Sequence, residues 1–428
     1  MPWTPTLTEL QDLLAGLYDN DADRRRVAAE AGLPVDRTEL LAGSVNAWHR
    51  ILKAAQDHDR LAALIAIARN EYKLNERTVA MLDRIAVQLA VEEAPNDPML
   101  PQIAKSEVQP RPGIRIEPES KKPGQSIELV PPNLLRITDP IHLDLVRVPA
   151  GEFLMGTRSS DIERLLGLYG GKREEYEWET EQFQLALPEF YIAKTMVTVE
   201  QFEAFVKDTG YQTTAEEQDG GCVRTDGHWE CVRDASWREP RGPGSDTGNK
   251  LRHPVTQVSF YDGQAFCDWL KGPSNPDVQS FLDAKGWDLR MPTEAEWERA
   301  ARGPQGRVFP WGDEAPDGHR CNFGMRLKDT TPVDAYPNGQ SKDGVFDMAG
   351  NVWEWTMTRW NSTKDEPPYP YPYHPDQNRE DPNQEGPRVM RGGSFHDKPW
   401  EIRCAFRHKH DMDWSIDCGS FRVCVVKR

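Results

Sequence analysis

The chain has 428 residues, with 52 Lys and Arg against 69 Asp and Glu, for a formal charge of −17 at neutral pH. That balance excludes nucleic acid and anionic membrane surfaces as expected partners, because both repel a strongly negative protein. The length predicts two or three domains. Seven cysteines spread along the chain do not form the dense pattern of a disulfide scaffold.

The segment Met1-Pro2-Trp3-Thr4-Pro5 lacks the basic and apolar regions of a secretory signal, and no apolar run is long enough to span a bilayer, so a cytoplasmic protein is expected. Leu10, Leu13, Leu14 and Leu17-Tyr18 recur at helical spacing, as do Ala47-Trp48, Ile51-Leu52 and Ala55, and then Leu61, Leu64-Ile65 and Ala68. Stripes of this kind facing a shared core predict a small all-α bundle over residues 1–92, with polar turns or helix ends at Arg24-Arg25-Arg26, Asp57-His58-Asp59 and Asn70-Glu71. Taken with Ala31-Gly32-Leu33-Pro34 and Ala68-Arg69-Asn70-Glu71-Tyr72-Lys73-Leu74-Asn75, the segment resembles the first type of bacterial effector-associated domain, a small death-domain-like adaptor. The resemblance implies pairing with a like domain on a separate effector protein. A bundle that only self-associates or packs on the rest of the chain is the plainer alternative.

Residues 93–140 are rich in proline and mixed charge, including Pro110-Arg111-Pro112 and Lys121-Lys122-Pro123, and are poor in aromatics. Such a segment cannot bury enough apolar surface to fold alone, and proline keeps it extended, so a semi-stiff linker is predicted.

Residues 141–428 carry the strongest motifs. The run Asp347-Met348-Ala349-Gly350-Asn351-Val352-Trp353-Glu354-Trp355 is followed by Arg391-Gly392-Gly393-Ser394-Phe395 and closed by Gly419-Ser420-Phe421-Arg422-Val423. Glycines where the backbone must turn, beside tryptophans with large buried area, predict a tightly coiled core. Further upstream stand Val148-Pro149-Ala150-Gly151-Glu152-Phe153-Leu154-Met155-Gly156, Phe190-Tyr191-Ile192, Val197-Thr198-Val199-Glu200-Gln201-Phe202 and Leu289-Arg290-Met291-Pro292-Thr293-Glu294-Ala295-Glu296-Trp297-Glu298. In this order the motifs resemble the formylglycine-generating-enzyme (sulfatase-modifying factor) family. The resemblance implies an α+β class, a C-type lectin-like fold preceded by the helical bundle, with the first stretch an opening hairpin and the next two a strand and a helix.

The family's enzymes bind copper through two cysteines just after the Gly-Gly-Ser segment. Here Asp397 stands in the first position, and a shortening before Arg403 removes the second. Copper(I) prefers thiolate and a carboxylate does not replace it, so neither copper nor formylglycine formation is expected and the chain reads as a pseudo-enzyme. Cys404 is assigned to core packing. Cys222 and Cys231 stand where a hairpin around Asp226-Gly227 would let them pair, with two reduced thiols the plainer expectation. The resemblance also implies a structural calcium at Asp347, Glu354 and the carbonyls of Gly350 and Val352, a set of oxygens suited to a hard cation. Capping of backbone amides by Glu354 without a metal is the alternative. Glu294, Glu296 and Glu298 belong to a helix opened by a capping box at Thr293, and are read as structural rather than as a catalytic carboxylate pair.

Between the framework residues of 395–418 stand Phe395, His396, Asp397, Lys398, Trp400, Glu401, Phe406, His408, His410, Asp411, Met412, Asp413, Trp414, Ile416 and Asp417. Aromatics beside charges, without periodicity, suit a recognition face. The arrangement is similar to the variable proteins of diversity-generating retroelements, which display mutated residues on this fold. It implies a protein or other foreign ligand bound at the C-terminal face, with Phe395, His396, Asp397, Lys398, Trp400, Glu401, Phe406, His408, His410, Asp411, Asp413, Trp414, Ile416 and Asp417 as the contacts. The combined expectation is a non-catalytic sensor of a bacterial conflict or defence system that recruits an effector through its N-terminal domain. The alternative is a metal-dependent oxidase, with His408, His410 and Asp411 as a partial ligand set.

Overall fold

The computed structural model describes residues 126–428 except 131–132, 226–227 and 373–377, together with selected positions between 7 and 85 that include the helix α1 (Leu61–Glu71). The chain divides into two units, Met1–Glu119 and Ser120–Arg428. In the first, Leu10, Leu14, Ile51, Leu52, Ala55, Leu61, Leu64, Ile65 and Ala68 are buried in one cluster with Val27, Leu82 and Ile85. The spacing of Leu61, Leu64, Ile65 and Ala68 along α1 puts them on a single stripe, as the sequence predicts. Leu13, Leu17, Tyr18, Ala47 and Trp48 lie outside the described residues, as does most of the predicted linker.

The second unit is built on two sheets. The larger has the order β1-β2-β3-β6-β14-β9, all neighbours antiparallel, from β1 (Ile127–Val130), β2 (Leu134–Ile137), β3 (Leu143–Val148), β6 (Phe190–Ala193), β9 (Trp287–Arg290) and the final strand β14 (Cys424–Lys427). Two of these strands correct the sequence reading, which places 127–137 in the linker. Ile127, Leu135 and Ile137 are buried while Glu128 is exposed, so this stretch has an apolar set to hand to a sheet even though prolines precede it. A second correction concerns the expected opening hairpin. The strand β4 (Gly151–Met155) does not fold back on β3 but forms a separate ribbon with β5 (Phe183–Leu187).

The smaller sheet has the order β12-β11-β10-β13, from β10 (Trp353–Arg359), β11 (Arg388–Arg391), β12 (His408–His410) and β13 (Gly419–Phe421). The pair β10 and β13 is parallel, with Trp353 opposite Gly419 and Trp355 opposite Phe421. Trp353 and Trp355 are buried, as their motif predicts, in a core that also holds Phe202, Phe266 and Phe421. Three capped helices surround it. In α2 (Val199–Thr209), α3 (Phe260–Leu270) and α4 (Glu294–Arg302), the hydroxyls of Thr198, Ser259 and Thr293 accept backbone amides while Gln201, Asp262 and Glu296 reach back. Each exchange satisfies otherwise orphaned helix-end groups. Among the described residues, no helix is long and apolar enough to cross a membrane.

Candidate functional site

The segment between β11 and β13, residues 392–418, is irregular apart from the short strand β12. Its entry turn uses Gly392 and Gly393 at φ +94° and +71°, and a Cβ on Gly393 would stand 2.6 Å from Ile402 Cγ2. Only glycine takes this path without strain. Beyond the turn, arginines hold the backbone. Arg391 donates to the carbonyls of Cys404, Ala405 and Phe406 at 2.6, 3.0 and 2.8 Å, and to Glu298 at 2.5 Å. Arg403 grips Glu179 at 2.6 and 2.8 Å, and Arg407 grips Glu294 at 2.7 and 2.9 Å. All of these charged groups are buried. Glu294, Glu296 and Glu298 therefore are structural, as expected, through ion pairs to Arg391, Arg407, Arg290 and Arg302.

Asp397, which the resemblance sets in place of the first cysteine, is buried and fully engaged. One carboxylate oxygen accepts from the Ser394 amide and hydroxyl at 2.8 and 2.5 Å, and the other from Arg224 at 2.9 Å. The seven cysteines are free, and only Cys231 is exposed. Cys404 is core, as expected.

Arg224 introduces the hairpin that the sequence expects to bring Cys222 and Cys231 together. It lies on β7 (Gly220–Thr225), which forms a ribbon with β8 (His228–Arg233) in a register that sets Cys222 opposite Cys231. The two thiols face each other unbonded, with Sγ atoms 2.9 Å apart. Arg224 lies over the Trp229 ring, Trp229 meets Trp414 edge-on at 5.7 Å, and Trp414 meets His410 at 3.6 Å. The ribbon and residues 411–415 enclose a cleft of about 550 Å³ lined by Gln218, Cys231, Arg233, Lys364, Asp413 and Trp414 among others. Its mixed lining of one aromatic ring and both signs of charge suits a polar or peptide-like ligand.

Burial divides the predicted contact residues. Phe395, His396, Asp397, Phe406, His410, Ile416 and Asp417 are buried, so they shape the face without presenting themselves on it. The expectation that all fourteen touch a ligand is corrected accordingly. Lys398 and Asp413 are exposed, and Trp400, Glu401, His408, Asp411 and Trp414 are partly exposed. Trp414 and Asp413 reach the cleft, while Trp400 packs on Gly170 and Gly171.

The metal expectations also meet the geometry. His408 and His410 stand 4.9 Å apart ring to ring, and burial pushes His408 down to about 4 and His410 well below its ordinary value, so both are neutral. Asp411 turns away to Lys364 at 3.0 Å, which breaks the proposed two-histidine, one-carboxylate set. Both oxygens of Glu354 are held by Arg422 at 2.5 and 2.7 Å, the Gly350 carbonyl accepts the Val352 amide, and Asp347 accepts the Asp334 amide. As arranged, these residues do not offer the six to eight free oxygens that calcium takes. A guanidinium holds Glu354 where the resemblance implies the ion.

Residues 139–427 match the sulfatase-modifying factor enzyme 1-like domain, and residues 1–86 match effector-associated domain 1. The formylglycine-generating enzyme of Streptomyces coelicolor is 35% identical over 311 residues, covering 65% of this chain and 87% of that protein. The inactive C-alpha-formylglycine-generating enzyme 2 of Mus musculus is 32% identical over 245 residues, covering 50% of this chain and 69% of that protein. Among solved structures, Treponema denticola variable protein 1 aligns with a TM-score of 0.43 at 17% identity, over 67% of this chain and 96% of that one.

Proposed function

We propose that this chain, which belongs to the sulfatase-modifying factor enzyme 1-like family and carries effector-associated domain 1 over residues 1–86, is a non-catalytic binding sensor. Its second unit takes a protein or other foreign ligand at the cleft beside Trp414. Its first unit engages a like domain on an effector of a bacterial conflict or defence system. The observation that carries this is the environment of Asp397: the residue that the resemblance sets in place of a copper thiolate is a buried carboxylate tied to Ser394 and Arg224. Relatives of the family include proteins named as inactive. An oxidase built on His408, His410 and Asp411 is disfavoured by the Asp411 contact with Lys364.

Retroelement diversification, if it acts here, has room only at Lys398, Trp400, Glu401, His408, Asp411, Asp413 and Trp414, since the other contact positions fill the interior. A reverse-transcriptase gene and a near-copy repeat beside the coding sequence would support it; absence of both would refute it.

Selection of displayed peptides against the whole chain tests the binding role. Binders that weaken about 30-fold on Trp414→Ala, the loss expected for a central anchor, support it. Binders indifferent to Trp414, or conversion of a peptide cysteine to an aldehyde by the copper-treated chain, would overturn it.

A further inference from the structure

We propose that His396, Asp417 and Cys418 form a binding site for one divalent transition-metal ion of the zinc class. The three come together from the two ends of the irregular segment: His396 follows the Gly392-Gly393 turn, and Asp417-Cys418 immediately precede β13. One ligand atom from each lies within 4.8 Å of the others, and all three residues are buried. No other cluster of this kind occurs among the described residues.

What points to an ion is unsatisfied chemistry. His396 Nε2 and both carboxylate oxygens of Asp417 are buried without a hydrogen-bond partner. An unpaired buried carboxylate is among the costliest groups a protein can hold. The nearest cation is Arg241, whose Nε lies 3.9 Å from Asp417 on a side chain that is 44% exposed. It faces Asp417 without a hydrogen bond to it, while its guanidinium donates to the Lys328 carbonyl and lies over the Phe395 ring. His396 Nε2 and Asp417 Oδ2 are 3.6 Å apart, too far for a good hydrogen bond. That separation is close to the edge of a coordination shell, since a tetrahedral ion with bonds of about 2.1 Å holds nitrogen and oxygen ligands about 3.4 Å apart. The Cys418 sulfur, within 4.8 Å of the other two ligand atoms, reaches the same ion after a shift of about 1.2 Å or less, since a zinc–sulfur bond of about 2.3 Å places it about 3.6 Å from them.

The donor set selects the metal. One imidazole, one carboxylate and one thiolate are borderline ligands that suit Zn²⁺, whereas copper(I) prefers more sulfur and calcium prefers oxygen alone. Three protein ligands leave a fourth position for water. The site is also tied to the cleft: the Asp417 amide donates to the Cys222 carbonyl at 3.0 Å, and the Cys222 amide to the Ser415 carbonyl at 2.8 Å. An ion here would pin the wall that carries Trp414, and no redox step is involved.

Cobalt(II) is the probe, added to the whole chain after dialysis against chelator. The expected result is a thiolate-to-cobalt charge-transfer band with intense tetrahedral ligand-field bands, displaced by zinc. Cys418→Ser should abolish the charge-transfer band, and the near-isosteric His396→Gln should weaken cobalt by at least about 10-fold, the minimum that disturbance of even an outer-shell partner costs. The double variant Cys222→Ser, Cys231→Ser should keep the full spectrum. Absence of the band in the wild-type chain overturns the proposal. So does a band that survives Cys418→Ser and disappears in the double variant, which would place the ion on the ribbon thiols.

Discussion

Replacing Asp347 by Asn should stabilise the second unit at pH 8 and leave it nearly unchanged at pH 4. Burial pushes the Asp347 carboxyl up to about 7, against an ordinary value of about 3.9 in the unfolded chain. A carboxyl raised in the folded state contributes stability that is complete below pH 4 and lost as pH rises through 7. A gap of about 3 pH units at 1.36 kcal/mol each amounts to about 4 kcal/mol. Asparagine keeps the shape and remains neutral at every pH. It also keeps an oxygen that can accept the Asp334 amide, and it tolerates the left-handed backbone of this position, φ 55°. Urea denaturation of wild type and Asp347→Asn at pH 4, 6 and 8, with EGTA throughout, should show a difference that grows to at most about 4 kcal/mol and then levels off above pH 7. Repeating the series in millimolar calcium should change nothing, because Arg422 occupies Glu354. If Asp347→Asn is the less stable protein at pH 8, the carboxylate has a cation partner and the structural reasoning fails.

Other perturbations test the remaining claims. Glu294→Gln leaves Arg391 and Arg407 buried with a lost counter-charge and should cost about 3–5 kcal/mol; a loss under about 1 kcal/mol would show that the arginines rearrange. Burial alone would raise the Glu294 carboxyl, but Arg407 and Arg391 bring it below its usual range, so its contribution is present above about pH 4 and vanishes as acid protonates the folded state. Phe406→Ala should cost about 3–5 kcal/mol because the ring is core, whereas Trp414→Ala should cost only about 1–2 kcal/mol from its contacts with Trp229 and His410, and unfolding curves separate the two. Under native conditions an alkylating reagent should label Cys231 well before the six buried cysteines; rapid labelling of Cys404 or Cys418 would contradict their burial.

Sequence pattern carried the framework well and the site poorly, for identifiable reasons. Apolar spacing found the buried stripe of α1, and the Thr293 cap was legible because its signal lies within four residues. The tryptophans of the Gly-Asn-Val-Trp-Glu-Trp run declared their burial through size. Within 392–418 no period exists from which to sort inside from outside, so Phe406 and Asp413 looked alike although one is core and the other exposed. Long-range pairing was invisible for a different reason. Arg403 meets Glu179 across 224 positions and Asp397 meets Arg224 across 173, distances over which composition gives no partner. Asp397 could be read as a lost thiolate, but not as the salt bridge that replaces it.

The buried arginines have a consequence for how this domain tolerates change. Guanidinium groups on Arg391 and Arg403 bind main-chain carbonyls between Trp400 and Phe406, and Arg407 ties the segment to the carbonyls of Trp178 and Tyr369, taking the role that neighbouring strands would play in a sheet. A path held by its carbonyls is indifferent to the side chains that point away from it. An exposed position at the edge of this path, such as Lys398, is therefore decoupled from the backbone beneath it, and a point substitution there should leave the fold unchanged. The same interior charges that make the core costly to disturb give its surface an unusual freedom to vary.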